Sequence, residues 1–220
     1  MGGTMDTSKT ERIYDRLAPL YDFWSYLTET APEQQALRVV ELKPGESVLE
    51  VALGTGKLFV EILQTRNLKR CVGVDLSTRM LARARRRVLS LGANPALCRA
   101  DARRLPFVAS SFDAVLCCYM LDLLAEEDIR GVLGEFQRIL KPGGRLAALV
   151  MAEQARLFNA IWKWGYRHAP ALVGGCRPVN LVPLFEGQGW RLELHERLTQ
   201  CGFRSELFLA RPAGREARSA

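Results

Sequence analysis

Apolar residues in the middle of this chain follow two alternating rhythms. Short runs at Ser47–Val51, Cys71–Val74, Ala96–Ala100, Phe112–Cys118 and Arg145–Met151 are apolar nearly throughout, as strands covered on both faces should be. Between them stand segments of helical spacing: Leu58–Leu63, a stretch from Ser77 to Leu91, and one carrying Ile129, Val132, Leu133, Phe136 and Ile139. Ser77 is a good capping residue, and Met80, Ala84 and Val88 share one face of the helix behind it. The opposite face, with Arg79, Arg83, Arg86 and Arg87, reads as solvated. Strict alternation of strand and helix implies βαβ units and a parallel sheet with helices on both faces. The pattern changes near the end. Trp190, Leu192 and Leu194 alternate with polar residues, Arg204–Ala210 is strand-like, and Gly202 marks a turn between them. That spacing leaves no room for a crossover helix and predicts an antiparallel hairpin. The expected fold is a doubly wound, Rossmann-like α/β sheet of seven strands, mostly parallel, closed by this hairpin.

Before the first strand, Ile13, Leu17, Leu20, Trp24 and Leu27 recur at helical spacing over residues 11–29, broken or kinked at Pro19. Pro32 can start a second helix, and LKPGES then turns the chain. The 220 residues are enough for one domain, expected over 11–211, with loose ends at 1–10 and 212–220.

Composition narrows the functional classes. The net charge of +7 favours anionic partners without choosing among them. The start lacks an apolar core, and the longest uncharged apolar run, Ala114–Leu121, is far short of the roughly 20 residues a spanning helix needs. The expectation is therefore a soluble, cytoplasmic protein. Six cysteines, Cys71, Cys98, Cys117, Cys118, Cys176 and Cys201, form no C-x-x-C pair and read as reduced, small apolar residues; no metal site is expected.

The segment VLEVALGTGK, residues 48–57, carries the chemistry. A buried strand ends in Glu50 and Val51, and the chain turns through Gly54 and Gly56 into a helix. Such glycines let backbone approach a ligand, and a helix start offers N–H groups. Asp75 ends the next strand, at the separation where an acid meets ribose hydroxyls in nucleotide-binding βαβ units; it could instead cap the helix at 77. Phe59 stands where the third glycine of G-x-G-x-x-G would be, against a dinucleotide site. Glu50, just before the loop, suits a cationic ligand better than a pyrophosphate.

With YDRLAPLYD, the glycine loop, GVDLS, RADARRLPF, SFDAV and RILKPGG in this order and spacing, the chain resembles class I S-adenosylmethionine-dependent methyltransferases. It is most similar to the branch that includes the ubiquinone and menaquinone biosynthesis C-methyltransferases, from about Tyr14 to Ala210. Ala52 departs from the pattern, since many members have a glycine there. The resemblance implies S-adenosylmethionine as cofactor and a role for each motif residue. Glu50 would order the loop and face the cationic methionine end, with Ala52, Gly54 and Gly56 close to it. Asp75 would bind both ribose hydroxyls, and Leu76 and Met80 would pack near the adenine. Asp101, otherwise a turn aspartate, would accept from the adenine amino group, and Ala102 would offer a backbone N–H. Cys118 and Tyr119 would sit where methyl meets acceptor, and Tyr21 would close over the cofactor.

Methyl transfer from a sulfonium is an in-line displacement, so the protein must mainly align the reactants and exclude water. A base is needed only if the nucleophile carries a proton. The candidate catalytic residues are Tyr119, Asp122 and His168, with His195 on a polar strand face. Tyr14 and Tyr119 could contact the acceptor, and Arg177 could hold an anionic group on it. Residues 11–42 read as a helical cap over the site, and the irregular, aromatic-rich residues 152–188 as a substrate lid. The expected acceptor is a small or lipid-soluble molecule such as a quinol ring; a phospholipid headgroup N-methyltransferase and a non-catalytic cofactor-binding protein are the alternatives. A lipid-soluble acceptor implies weak contact with an anionic membrane surface, and no nucleic-acid partner is expected.

Overall fold

The computed structural model describes residues 29–65, 67–94, 96–152 and 178–213. The helix expected over 11–29 lies outside them, as do Tyr14, Tyr21, His168 and Arg177. The elements run α1 (Thr30–Val40), β1 (Ser47–Val51), α2 (Lys57–Leu63), β2 (Arg70–Asp75), α3 (Thr78–Leu89), β3 (Ala96–Arg99), β4 (Phe112–Cys118), α4 (Glu126–Ile139), β5 (Leu140–Met151), α5 (Val182–Gly187), β6 (Trp190–Gln200) and β7 (Phe203–Pro212).

The strands form one seven-stranded sheet in the order β3-β2-β1-β4-β5-β7-β6. β1 to β5 are parallel, and β7 pairs antiparallel with both β5 and β6. The sheet is the expected one. β1 is completely buried, which is why it reads as an apolar run apart from Ser47 and Glu50. The hairpin turns on Cys201 and Gly202, both at positive φ (49° and 81°), the two-residue loop whose twist matches its strands. β5 begins earlier than its apolar run suggests. Phe112 pairs with Leu140, and the register then shifts so that Ala114 faces Arg145, leaving Lys-Pro-Gly-Gly as an excursion from the ladder. Strand order reverses between β1 and β4, and the crevice beyond their carboxyl ends is where open α/β sheets bind ligands.

Pleating sends alternate residues to opposite faces. Leu49, Val51, Val115 and Cys117 join the core under α4 through Ile129, Leu133 and Phe136. Val48, Ala114 and Leu116 face the other way, against Val40 of α1 and Leu58 and Ile62 of α2. Glu50, two residues after Val48, therefore points to the α1–α2 side. α5 corrects the expected lid. Residues 182–187, assigned to it from their irregular pattern, form a helix whose Leu184 and Phe185 are buried in the main core beside Trp190 and Phe208. A six-residue helix is too short to show periodicity. No helix among the described residues is long and apolar enough to cross a membrane.

Arg145 ties α1 to the sheet. Only 5% exposed, it donates to the carbonyls of Val40 and Glu41 and pairs with Glu46 at 2.8 Å. Burial pushes the Glu46 carboxyl up, but Arg145 and the Lys43 N–H outweigh it and hold the group below its ordinary value of 4.5. Arg145→Met should cost about 3–5 kcal/mol, because the carbonyls and the carboxylate lose their partner together. A depressed folded-state pKa contributes stability above the unfolded value and loses it as pH falls through the folded one. The gap between variant and wild type in urea unfolding should thus be full at pH 7 and shrink below about pH 4.5. Equal midpoints at pH 7 would show that the tie contributes nothing.

Candidate active site

The glycine loop is built from backbone that ordinary residues avoid. Ala52, Gly54 and Gly56 all have positive φ, at 57°, 56° and 77°. In Ala52 this conformation costs roughly 1–2 kcal/mol that glycine would not incur, and such strain collects at functional sites. The loop is held from three directions. Leu53 N–H donates to the Val74 carbonyl. Gly54 N–H donates to Asp75 Oδ2 at 2.9 Å, while Oδ1 of the same carboxylate accepts from Ser77 N–H at 2.8 Å. Arg87 donates to both the carbonyl and the hydroxyl of Thr55, each at 2.9 Å. Arg87 thus departs from the solvated face predicted for its helix: it is a latch on the loop. The two readings of Asp75 also merge, since it orders the start of α3 and the glycine loop at once. The Gly54 and Gly56 N–H groups, expected to face a ligand, are instead taken by Asp75 and by the Leu53 carbonyl.

Gly56 has a different task from Gly54. A Cβ at Gly56 would stand 2.8 Å from the Ala84 Cβ and 3.0 Å from its Cα, whereas one at Gly54 would meet nothing within 4 Å. Gly56 lets α3 approach the loop, and Gly54 lines the crevice.

At the ends of β1 and β4 a pocket of about 30 Å³ gathers Glu50, Ala52, Gly54, Cys118 and Tyr119 from the expected set, together with Glu33, Thr55 and Lys57. Glu33 was not legible as a site residue, and Lys57 stood only as the last residue of the glycine-loop segment. The first lies on α1, before the motif region, and nothing local distinguishes it from a surface glutamate. Glu50 is 4% exposed, and its Oε2 is buried with no hydrogen-bond partner among the described residues. An orphaned buried carboxylate oxygen is costly. Burial, with Glu33, Asp75 and Glu61 nearby, pushes this carboxyl well above its ordinary range. Burial and the neighbouring Glu29 push Glu33 up to about 8, against the pull of Lys57. The pocket is short of positive charge, and a cationic group would relieve both carboxyls.

The acceptor side differs from expectation. Asp122 is completely buried in the turn Leu121–Leu123, and its Oδ2 accepts the Met151 N–H at 2.9 Å. It faces the interior and braces the end of β5, so it is no base for an acceptor. Tyr119 is strained at φ 52°, and its hydroxyl is 2.8 Å from Ser205 Oγ in a buried pair. Burial raises its pKa well above the ordinary phenol value, so it stays protonated and cannot act as a base. His195 stacks on Phe208 at 4.4 Å and meets Glu206 at 3.3 Å, within the hairpin. Cys118 stays a thiol because burial raises it.

The remaining expected residues lie along the ends of β2 and β3. Leu76 is partly exposed and Met80 is buried. Both Asp101 oxygens are engaged by Arg103, which approaches to 2.7 Å and holds the carboxyl below its usual range. An adenine amino group would compete with that guanidinium. Among the described residues no cluster of three His, Cys, Asp or Glu could hold a metal ion.

A mostly parallel seven-stranded sheet with β7 inserted antiparallel beside β5 is the fold of class I methyltransferases, and the acidic, glycine-lined crevice lies at its switch point. Residues 48–144 match the family model described as a methyltransferase domain. The chain is 33% identical, over 84% of its length and 76% of the relative's, to the ubiquinone/menaquinone biosynthesis C-methyltransferase of Desulfotalea psychrophila. It is 30% identical to the demethylmenaquinone methyltransferase of Tropheryma whipplei, over 90% of this chain and 85% of that one. Among solved structures it is similar to a S-adenosylmethionine-dependent methyltransferase of Thermotoga maritima, described as a possible histamine N-methyltransferase, with a TM-score of 0.68 and 22% identity over 90% of this chain and 98% of that one. That likeness shows the fold alone. The chain belongs to the class I S-adenosylmethionine-dependent methyltransferases and resembles their ubiquinone/menaquinone C-methyltransferase branch. It is an enzyme with S-adenosylmethionine as cofactor.

Proposed function

We propose that the chain methylates a ring carbon of a lipid-soluble quinol. The observation that carries this reading is the identity of 30% or more, spread over most of the chain, to enzymes named for quinone methylation. When bound, S-adenosylmethionine supplies a methyl group already activated by its sulfonium. The chain's own residues hold, orient and dehydrate. Glu50 takes a cationic group against its orphaned Oε2, which fits the cofactor's methionine end. Asp75 receives the ribose hydroxyls, with Leu76 and Met80 beside the base. Asp101 and Ala102 meet the adenine edge once Arg103 shares its carboxylate. Cys118 and Tyr119 form the floor where the acceptor ring arrives, with Tyr119 fixed by Ser205. Tyr14 and Tyr21 from the cap over 11–42, Arg177, and the lid, now shortened to end before α5, close over this floor; with Asp122 and Tyr119 unsuited as bases, His168 is the remaining candidate from the sequence.

Release of S-adenosylhomocysteine, with mass gain of one methylene on the acceptor, tests this reading on a panel of reduced prenylated naphthoquinols, benzoquinols, phosphatidylethanolamine and small amines. Reduced quinols should be methylated, faster from anionic than from neutral vesicles at low salt, because Lys and Arg near an anionic leaflet contribute on the order of 1 kcal/mol each and salt screens them. Turnover of phosphatidylethanolamine with none of any quinol would replace the proposal by the headgroup N-methyltransferase.

A further inference from the structure

Glu33 and Lys57 come from different elements, α1 and the first turn of α2, yet they line the same pocket as Glu50 and Gly54. Glu33 lies before the cofactor motifs, and Lys57 closes the glycine-loop segment. The buried stripe of α1, Pro32, Ala36 and Val40, seats the helix against the sheet and sets the adjacent Glu33 over the end of β1. Glu50, whose Oε2 is buried without a hydrogen-bond partner among the described residues, lines the same pocket. Opposite charges therefore stand at one small pocket whose volume suits a few atoms and not a whole nucleoside.

We propose that Glu33 and Lys57 recognise the zwitterionic amino-acid end of the cofactor, Glu33 beside Glu50 facing the ammonium and Lys57 facing the carboxylate. The inference rests on the pocket being the cofactor site. It makes a residue of the helical cap a determinant of cofactor affinity, so that cap and motif loop close on the ligand from two sides. The electrostatics of the surroundings agree. The groups around Glu33 are Glu29 from the turn before α1, Glu50 from β1, Lys57 and Glu61 from α2, and Cys118 and Tyr119 at the end of β4, the last two held neutral by burial, while Asp75 from β2 acts on Glu50. Acid predominates, and in the unliganded protein Glu33 is pushed up to about 8. An arriving ammonium favours the carboxylate, so binding near neutral pH expels a proton, and affinity rises with pH up to the unliganded value.

Calorimetry on the full chain with S-adenosylhomocysteine and 5′-methylthioadenosine, which lacks the amino-acid end, tests this. Glu33→Gln and Lys57→Met should each weaken S-adenosylhomocysteine roughly tenfold or more, since each removes a charge-assisted contact. Both should leave methylthioadenosine within about twofold of wild type. Wild type should also release protons on binding S-adenosylhomocysteine at pH 7, read from buffers of different ionisation enthalpy, and none with methylthioadenosine. S-adenosylhomocysteine affinity unchanged in either variant, or equal losses for both ligands, would overturn the assignment. Should Glu33→Gln not fold, absence of proton release in wild type would overturn it just as well. Failure of wild type to bind S-adenosylhomocysteine at all would instead sink the assignment of the pocket to the cofactor.

Discussion

Gly56→Ala should lower the melting temperature by roughly 10 °C, while Gly54→Ala, two residues away in the same loop, lowers it by only a few degrees. Both positions have positive φ, so each alanine incurs about 1–2 kcal/mol of backbone strain. Only Gly56 adds a collision. Its new Cβ would sit 2.8 Å from Ala84 Cβ and 3.0 Å from the helix backbone at Cα, and backbone cannot rotate away as a side chain can. Overpacking of this kind costs about 1–3 kcal/mol more. Relief requires α3 to move off the loop, and that would strain the Arg87 latch on Thr55 as well. Cofactor affinity should therefore fall in Gly56→Ala even though Gly56 does not line the pocket. Thermal unfolding and calorimetry on the two variants check this, and equal melting temperatures would show that the close approach of α3 is not what the glycine is for.

Asp75→Ala should reduce affinity for S-adenosylhomocysteine by about a hundredfold or more. Hydrogen bonds to a charged group contribute about 1.5–3 kcal/mol each, and two ribose hydroxyls are proposed to lose theirs. The loop they depend on loosens too, because the Gly54 and Ser77 N–H groups lose the acceptors they reach at 2.9 and 2.8 Å. Leaving two such donors unsatisfied costs about 1–3 kcal/mol each, so the variant should also unfold earlier in urea. Asp75→Asn separates the effects. It retains one acceptor oxygen but turns an NH₂ toward one of the two N–H donors, so it should fold better than the alanine variant and still bind poorly. A folded Asp75→Asn protein with wild-type affinity would remove the ribose role and leave Asp75 as a brace for the loop alone.

These variants mark the boundary between what one line of residues states and what it leaves open. The strand and helix pattern was legible because it is written in local periodicity. β4 could be read as Phe112–Cys118 from its apolar run, and the cap at Ser77 and the stripe Met80, Ala84 and Val88 follow from spacing within a few turns. The glycine loop was legible for the same reason, since a strand, two glycines and a helix within ten residues leave few conformations. Adjacency in sequence misled where a polar residue stood beside the site. Asp122 follows the end of β4 directly, yet the turn Leu121–Leu123 carries it inward to hold Met151 N–H. The short helix α5 escaped notice because six residues cannot establish a period, and its burial is decided by α4 and β6.

The sequence by itself determined the alternation of strands with the longer helices, the parallel sheet with its antiparallel hairpin, and the loop at the end of β1. Each rests on interactions between residues close in the chain, or on a face pattern that must be buried somewhere. Only the tertiary structure decided which partners those faces meet. Arg87 reaches Thr55 across 32 residues, Arg145 reaches Glu46 across 99, and Glu33 of α1 comes to share a pocket with Glu50, Lys57 and Tyr119. Periodicity tells which side of an element a residue occupies. It does not tell what lies opposite, and it is the opposite charge, carbonyl or helix backbone that makes a carboxylate a ligand, an arginine a latch and a glycine indispensable.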